Sequence, residues 1–249
     1  IIIVIASILL SNNANAQKLT ITDQSKSALS LELTIDNYNI KEIHDDKEIL
    51  HEVALSSITI PNDKGKPNLP SVNRFIAVPN NAKAKVIVNN YKKEILKNIN
   101  IAPSRGIVSE YDTTNSDYIK DSDIYSKDEL FPANIVSITE DINLRGVEAI
   151  GLNISPIQYN PVKKELIVYT EIELSIEYEG GDSKFGDDRL RSMHWDPILQ
   201  HNILNYNSLL KINYSERFQQ WIADNAEGAE YLIIIPDDES IREQAQRLA

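Results

Sequence analysis

The sequence predicts a mainly β protein: a β-sandwich or jelly roll, followed by the truncated start of an α/β domain. Three observations lead to this prediction. Short runs alternate apolar and polar residues with a period of two, and Pro and Asn turns separate those runs. Near the end, residues 231–235 form a continuous apolar run followed by strong helix formers, which is typical of the first strand and helix of an α/β fold.

The alternating runs account for residues 18 to about 179. The run at 28–35 places four apolar side chains on one face, namely Leu29, Leu31, Leu33 and Ile35. The run at 165–178 does the same with Leu166, Val168, Thr170, Ile172, Leu174 and Ile176. Shorter runs of this kind are residues 84–90, 134–139 and 147–155, with turns at 61–65 and 159–164. Many short strands joined by such turns are typical of sandwiches and jelly rolls.

The character of the chain changes after residue 180. A polar Gly-Gly-Asp-Ser stretch begins there and indicates the end of the β domain, which we place at residues 17–180. Residues 195–210 space apolar side chains three or four apart, which predicts a short helix with Asp196 as N-cap and Pro197 in its first turn. Residues 181–228 are therefore interpreted as a linker with a short helix, and 229–249 as the start of the α/β domain. A lone strand and helix cannot bury both faces of the strand, so the native protein is expected to continue.

The N-terminus has the features of an incomplete signal peptide. Residues 1–10 are apolar apart from Ser7, and Ala14-Asn15-Ala16 has the small-x-small form of a signal-peptidase site. We therefore expect residues 1–16 to be removed after Ala16, so that the mature chain starts at Gln17. The apolar run is too short to span a bilayer, so no membrane span is expected after this removal.

Composition argues against several function classes. The formal net charge is -12, which disfavours nucleic acid as a partner because phosphate binding needs clustered Lys and Arg. The chain has no cysteine, so it has no disulfide and no cysteine nucleophile, and we expect the isolated segment to be inactive as an enzyme. No catalytic residue, metal ligand set or cofactor motif is assigned: the histidines are paired seven residues apart, and the acidic pairs lack a calcium loop.

Several ordered segments between residues 65 and 178 resemble the pro-domains of gingipain-type cysteine peptidases. The segments are Gly65-Lys66-Pro67-Asn68-Leu69-Pro70, Ile101-Ala102-Pro103-Ser104-Arg105-Gly106, Glu129-Leu130-Phe131-Pro132, Leu144-Arg145-Gly146, Pro156-Ile157-Gln158-Tyr159-Asn160-Pro161-Val162 and Tyr169-Thr170-Glu171-Ile172. The resemblance implies a jelly-roll pro-domain that assists folding and keeps a secreted cysteine endopeptidase latent. It also implies a caspase-like catalytic domain with a Cys-His pair, which would be the pro-domain's partner in cis, and export to the periplasm and then to the cell surface or medium.

The resemblance further implies an inhibitory loop that lies across the active-site cleft. Its residues here are Ser104, Arg105, Gly106, Ile107, Val108, Ser109 and Glu110. The family offers a basic residue a few places after the glycine, but this chain has Glu110 there. That departure puts an Arg-specific cognate enzyme in doubt, and Arg105 is the nearest basic substitute.

Activation by proteolysis would require a cut near the end of the pro-domain. Arg189, Arg191 and Arg217 are the candidate cleavage sites, and Lys184 is a weaker one.

Two other functions remain open at this stage. The chain could be a non-enzymatic β-sandwich module for adhesion or carbohydrate binding, because jelly rolls host many functions. It could also belong to a sortase-like relative of the same peptidases that acts in type IX secretion. The strand and helix expected at 231–249 favour the peptidase precursor over a binding module.

Overall fold

The computed structural model describes residues 17–45, 48–55, 63–106, 118–139 and 141–224. The chain divides into two compact units, Ile1–Leu210 and Lys211–Ala249, which are described separately. The predicted signal peptide and the predicted strand and helix at 231–249 lie outside the described residues.

The described part of the first unit is built mainly from antiparallel strands. They are β1 Gln17–Gln24, β2 Ala28–Ile35, β3 Asn39–His44, β4 Ile49–Ala54, β5 Val72–Ala77, β6 Ala82–Lys97, β7 Val136–Ile138, β8 Ile142–Leu144, β9 Val147–Ile154, β10 Ile157–Asn160 and β11 Glu165–Gly180. The α-helices are α1 Ser122–Tyr125 and α2 Asp196–Asn202, with 3-10 turns at Asp188–Leu190 and Tyr206–Ser208. The prediction of a mainly β protein is confirmed.

The larger sheet is organised around the long strand β11. Its strand order is β1-β2-β11-β10, and β6 pairs with β11 along its other side. The alternation predicted for β2 is confirmed. The even-numbered residues of this strand are partly exposed, whereas the side chains of the odd-numbered residues are buried: Leu29, Leu31, Leu33 and Ile35. The β6–β11 register shifts twice, once past Thr170 of β11 and once past Asn89 of β6, so the two bulges compensate and pairing continues to the ends of both strands.

A second sheet covers the apolar face of the first. In it β9 pairs with β5 along one edge and with β7 and β8 along the other. Strands β3 and β4 form a separate two-stranded hairpin. One core contains buried side chains from both larger sheets, including Leu31 and Ile172 from the first and Ile150 and Ile76 from the second. Burial of these two apolar faces against each other is the main source of stability expected for a sandwich.

Residues 181–210 pack on the sandwich, so the predicted boundary at residue 180 moves to residue 210. The Asn205 side chain accepts a hydrogen bond from Ala77 N (2.7 Å) and donates one to Ala77 O (2.9 Å), which extends β5 as a further strand would. Leu199 and Ile203 are buried in the core. A polar Gly-rich stretch therefore marks a turn at this point and not the end of the unit.

The predicted helix over 195–210 is shorter than expected. Helix α2 ends at Asn202 because the chain then turns to pair with β5, where Leu204 N donates to Phe75 O (2.9 Å). Asp196 is the first residue of this helix and not its N-cap, since its carboxylate instead binds Arg191.

The second unit contains a helix where a linker was expected. Helix α3 runs over Tyr214–Asp224, and Asn213 Oδ1 accepts hydrogen bonds from the N–H groups of Ser215 and Glu216 near its start. Phe218 and Trp221 stack on its surface with ring centroids 6.3 Å apart. Among the helices in the described ranges of both units, none is long and apolar enough to cross a membrane.

Candidate functional site

The two chain segments that flank residues 107–117 are held close together. The Arg105 guanidinium lies over the Tyr118 ring, 4.2 Å from its centroid, and also donates to the Tyr118 hydroxyl. Stacking and hydrogen bonding together fix the relative position of the two side chains. We call residues 104–106 and 118–121 the neck. Residues 107–117, which lie outside the described residues, connect one side of the neck to the other along the chain.

Two of the family-like segments pair to form the base of this neck. Gly65 N donates to Ser104 O (2.8 Å), and Ser104 N donates to Lys66 O (2.8 Å). Pro67 and Pro103 face each other in the same antiparallel bridge, where neither proline needs to donate. The Gly65–Pro70 segment and the Ile101–Gly106 segment are therefore paired with each other in one local structure.

Strand β4 pairs with the other side of the same segment. Ala102 N donates to His51 O (2.9 Å), and His51 N donates to Asn100 O (2.7 Å). Ile101 is fully buried, and its carbonyl accepts from the Tyr125 hydroxyl (2.9 Å). Residues 100–104 are thus a buried extended segment with backbone partners on both sides, so the entry to the neck has little freedom to move.

Glycine is required at two positions around the neck. Gly65 has φ of +84°, and an added Cβ would lie 3.3 Å from Asp121 Cβ. This close approach lets Asp121 N donate to Gly65 O (2.9 Å), which joins the exit of the neck to its base. Gly106 has φ of +78°, and an added Cβ would lie 3.3 Å from Lys64 Cβ. Other residues rarely adopt such backbone angles.

The predicted inhibitory loop is described only in its first part. Ser104 is buried, Arg105 is exposed at the mouth of the neck, and Gly106 donates its N–H to Ser104 Oγ (3.2 Å). The remaining predicted residues, Ile107, Val108, Ser109 and Glu110, lie outside the described residues. Sequence reasoning missed Tyr118, because an isolated Tyr twelve residues after Gly106 carries no local signal.

Two further family-like segments pair with each other away from the neck. Phe131 and Tyr159 exchange two backbone hydrogen bonds of 2.8 Å. Gln158 Nε2 donates to Pro132 O (2.7 Å), while its Oε1 accepts from the Tyr169 hydroxyl (2.6 Å). These contacts give the Glu129–Pro132 and Pro156–Val162 segments a structural role in positioning the chain between α1 and β7.

Two candidate cleavage residues lie close together but in opposite environments. The side chain of Arg189 is 83% exposed and pairs with Asp187 (2.6 Å), which lowers the pKa of that carboxyl to about 2. The side chain of Arg191 is only 2% exposed. Its guanidinium binds both carboxylate oxygens of Asp196 at 3.0 and 2.7 Å and donates to Leu210 O (2.5 Å). Arg191 is therefore a buried anchor, whereas Arg189 is at the surface.

The third candidate, Arg217, lies in the second unit on helix α3. Its N–H donates to Asn213 O (3.0 Å) in the first turn, and the residue is exposed. Within the described ranges, no group of three His, Asp or Glu side chains is arranged to hold a metal ion.

Comparisons with known proteins give a consistent result. The family model Propeptide_C25 matches residues 10–213. Gingipain R1 of Porphyromonas gingivalis is 32% identical over 168 residues, which is 67% of this chain and 17% of that protein. Lys-gingipain of the same organism is 22% identical over 218 residues, or 75% of this chain and 12% of that protein. The chain thus spans only about a sixth of the length of Gingipain R1.

Two solved structures have the same fold. The complex of Porphyromonas gingivalis RgpB pro- and mature domains matches with a TM-score of 0.66 and 26% identity, covering 76% of this chain and 97% of that chain. The structure concerned with zymogenic latency of gingipain K from the same organism has a TM-score of 0.56 and 20% identity, covering 68% of this chain and 96% of that chain. The family match ends at residue 213, close to the end of the first unit at Leu210.

Proposed function

This chain belongs to the Propeptide_C25 family, and from that premise we propose that it is the pro-domain region of a secreted cysteine endopeptidase zymogen. In this proposal the sandwich assists folding of its own catalytic domain. It keeps that domain latent by placing the segment that begins at Ser104 across the active-site cleft. The chain has no cysteine, so the catalytic cysteine would lie outside these residues.

The observation that carries the proposal is the neck. Its two sides are fixed by backbone pairing at Ser104 and Asp121 and by the Arg105–Tyr118 stack. Fixing both ends of a segment lowers the conformational entropy that must be lost when the segment binds. Eleven residues joined to such a neck can reach at most about 20 Å from it, which is enough to cross a cleft. An extended segment can bind a cleft through its backbone without requiring one particular side chain.

The position of Arg105 bears on which side chain meets the specificity pocket. To enter a pocket, Arg105 would have to leave the Tyr118 ring and hydroxyl. We therefore propose that residues after Gly106, with Glu110 among them, are the part offered to the cleft. A buried carboxylate needs a basic partner, and an acidic Arg-binding pocket would repel it. The cognate enzyme should then have a basic or open pocket for Glu110.

We propose Arg217 as the principal activation site. After a cut at Arg189 or Arg191, the released C-terminal fragment would still begin with residues of the first unit, up to Leu210, that pack on the sandwich. Burial of Arg191 also hinders access of a protease to that residue. A cut at Arg217 falls after the first unit and would separate the whole sandwich. Helix α3 has only 11 residues, and isolated helices of this length are marginal in water, so it can unwind to fit a protease. Mass spectrometry of the activated protein should find a new N-terminus at Phe218.

We further propose export, with removal of residues 1–16 after Ala16 and passage through the periplasm to the cell surface or medium. This proposal rests on the small-x-small site and on membership of the family. N-terminal sequencing of the exported protein should find Gln17 first, and retention of residue 1 would contradict it.

The inhibitory role is tested by adding the 249-residue chain to the mature peptidase of its own precursor and measuring peptide hydrolysis. Replacing residues 107–110 with Gly and Ser should weaken inhibition at least about a hundredfold, because several backbone and side-chain contacts are lost together. Replacing exposed Lys41 and Glu42 with Ser serves as the control and should leave inhibition unchanged. Equal inhibition by the wild type and the 107–110 replacement would refute the cleft-blocking role.

A further inference from the structure

A polar cluster of three side chains joins the two ends of the neck to the β3–β4 hairpin. Glu48 lies just before β4, Asn100 is the first residue of the buried segment 100–104 that enters the neck, and Lys120 lies in the exit at 118–121. Asn100 Nδ2 donates to Glu48 Oε2 (2.8 Å), and Lys120 Nζ donates to Asn100 Oδ1 (3.2 Å). Lys120 Nζ also forms an ion pair with Glu48 Oε1, which closes the triangle.

The surroundings make this cluster more rigid than an ordinary surface ion pair. Asn100 is 7% exposed, and its Nδ2 donates a second hydrogen bond to Ile49 O (3.0 Å). The Lys120 ammonium lies over the Tyr125 ring, 5.4 Å from the centroid. An exposed pair contributes little because solvent screens it and two long side chains must be ordered. Here the buried amide and the ring already fix the geometry, so more of the attraction is retained.

The charges around Glu48 favour its ionised form. Lys120 bonds directly to it, Lys164 adds a second positive charge, and together with Asn100 they hold the pKa of the Glu48 carboxyl below its usual range. The hydroxyls of Tyr125 and Tyr159 also lie near Glu48, and their pKa values are raised, chiefly by burial. Both hydroxyls therefore stay protonated at neutral pH and place no second negative charge beside Glu48. The carboxylate is therefore available to hold both ends of the neck.

We propose that Glu48 is a positioning residue that, through Asn100 and Lys120, holds the entry and the exit of the neck together and so sets how residues 107–117 are presented. The inference rests on the proposed inhibitory function. It adds a role for the β3–β4 hairpin, which supplies the carboxylate from outside both family-like segments of the neck.

The first test uses hydrogen exchange in the 249-residue chain, which needs no peptidase. Glu48→Gln removes the charge and keeps the size of the side chain, and Glu42→Gln makes the same change at an exposed position of the same hairpin. We expect the Asp121 amide, which donates to Gly65 O, to exchange about tenfold faster in Glu48→Gln and unchanged in Glu42→Gln. The amide of Leu31 in β2 should be unaffected in both variants.

A charge-reversed double variant separates positioning from a general structural role. Lys120→Glu alone places two carboxylates together and should open the neck. Adding Glu48→Lys restores an opposite-charge pair. The Asn100 side-chain amide can rotate so that its oxygen accepts from the lysine and its NH2 group donates to the glutamate. The double variant should therefore recover most of the Asp121 protection. Failure of both Glu48→Gln and Lys120→Glu to change exchange would overturn the proposal.

The second test measures inhibition of the mature peptidase by the same variants. Glu48→Gln should weaken inhibition about fivefold to tenfold, with recovery in the charge-reversed double variant and no effect of Glu42→Gln. If the 107–110 replacement abolishes inhibition but Glu48→Gln has no effect, the positioning role is wrong and the proposed function stands. If the 107–110 replacement has no effect, the proposed function is wrong, and an effect of Glu48→Gln on inhibition would also contradict this positioning role.

Discussion

The buried Arg191–Asp196 pair provides a quantitative test of the extended first unit. Replacing Asp196 with Ala removes the carboxylate that accepts two hydrogen bonds from a guanidinium that is 2% exposed. Removing one partner of a buried pair costs about 3–5 kcal/mol, because the remaining charge stays desolvated. For a unit of this size each kcal/mol lowers Tm by about 2–4 °C, so the expected fall is about 6–20 °C.

Urea and thermal unfolding of the chain measure this effect directly. Arg189→Gln is the matched control, because that side chain is 83% exposed and solvent screens its ion pair, so its loss should leave the unfolding midpoints nearly unchanged. The double variant Arg191→Met with Asp196→Leu should recover much of the stability, since apolar pairs can replace buried ion pairs. A loss below about 1 kcal/mol for Asp196→Ala would refute the view that this pair anchors residues 191–210.

Three further outcomes follow from the described geometry. Gly65→Ala should destabilise the chain by about 1–2 kcal/mol in urea unfolding because of its positive φ, and by more because the added Cβ would crowd Asp121 in the exit of the neck. Gly180→Ala has a similar φ, and its Cβ would meet only an ordinary contact of 3.9 Å with Asn81 O, so it should show the backbone cost alone. NMR titration should find the Asp187 carboxyl with a pKa of about 2, rising toward its usual value in Arg189→Gln. Because this folded-state pKa is lowered, the stability that the pair contributes is present above about pH 4 and is lost as pH falls toward 2, and solvent exposure of the pair keeps that contribution small. Arg217→Gln should slow activation of the precursor more than Arg189→Gln does, as followed by the appearance of the mature enzyme on gels.

Local sequence patterns predicted the strands whose register is set by one buried face. The alternation of β2 and β11 is strong because Leu31 and Ile172 lie on faces that must be buried, and a slip by one residue would expose them. The helix predicted over 195–210 ended early because Leu204 pairs with Phe75, a contact between residues far apart in sequence. Periodicity reports the face of a segment but not the partner that the segment finds.

The candidate site could be predicted only in part, because its contacts also join residues that are far apart in the sequence. The Ile101–Gly106 segment indicated where the neck begins, but its pairing with Gly65 and Lys66 joins residues about forty positions apart. Glu48 and Tyr118 carry no local signal, since an isolated Glu or Tyr is usually a surface residue. Burial likewise distinguished Arg191 from Arg189, two residues that look equivalent in the sequence.

The central claim, that this chain blocks the cleft of its own peptidase, is tested most directly by competition. Binding of the 249-residue chain to the mature peptidase is measured by surface plasmon resonance, with the active site either free or filled by a covalent peptidyl inhibitor on its cysteine. A segment that lies in the cleft cannot bind when the cleft is occupied, so the account predicts at least about a hundredfold loss of affinity with the filled enzyme. Equal affinity for the free and the filled enzyme would contradict the account.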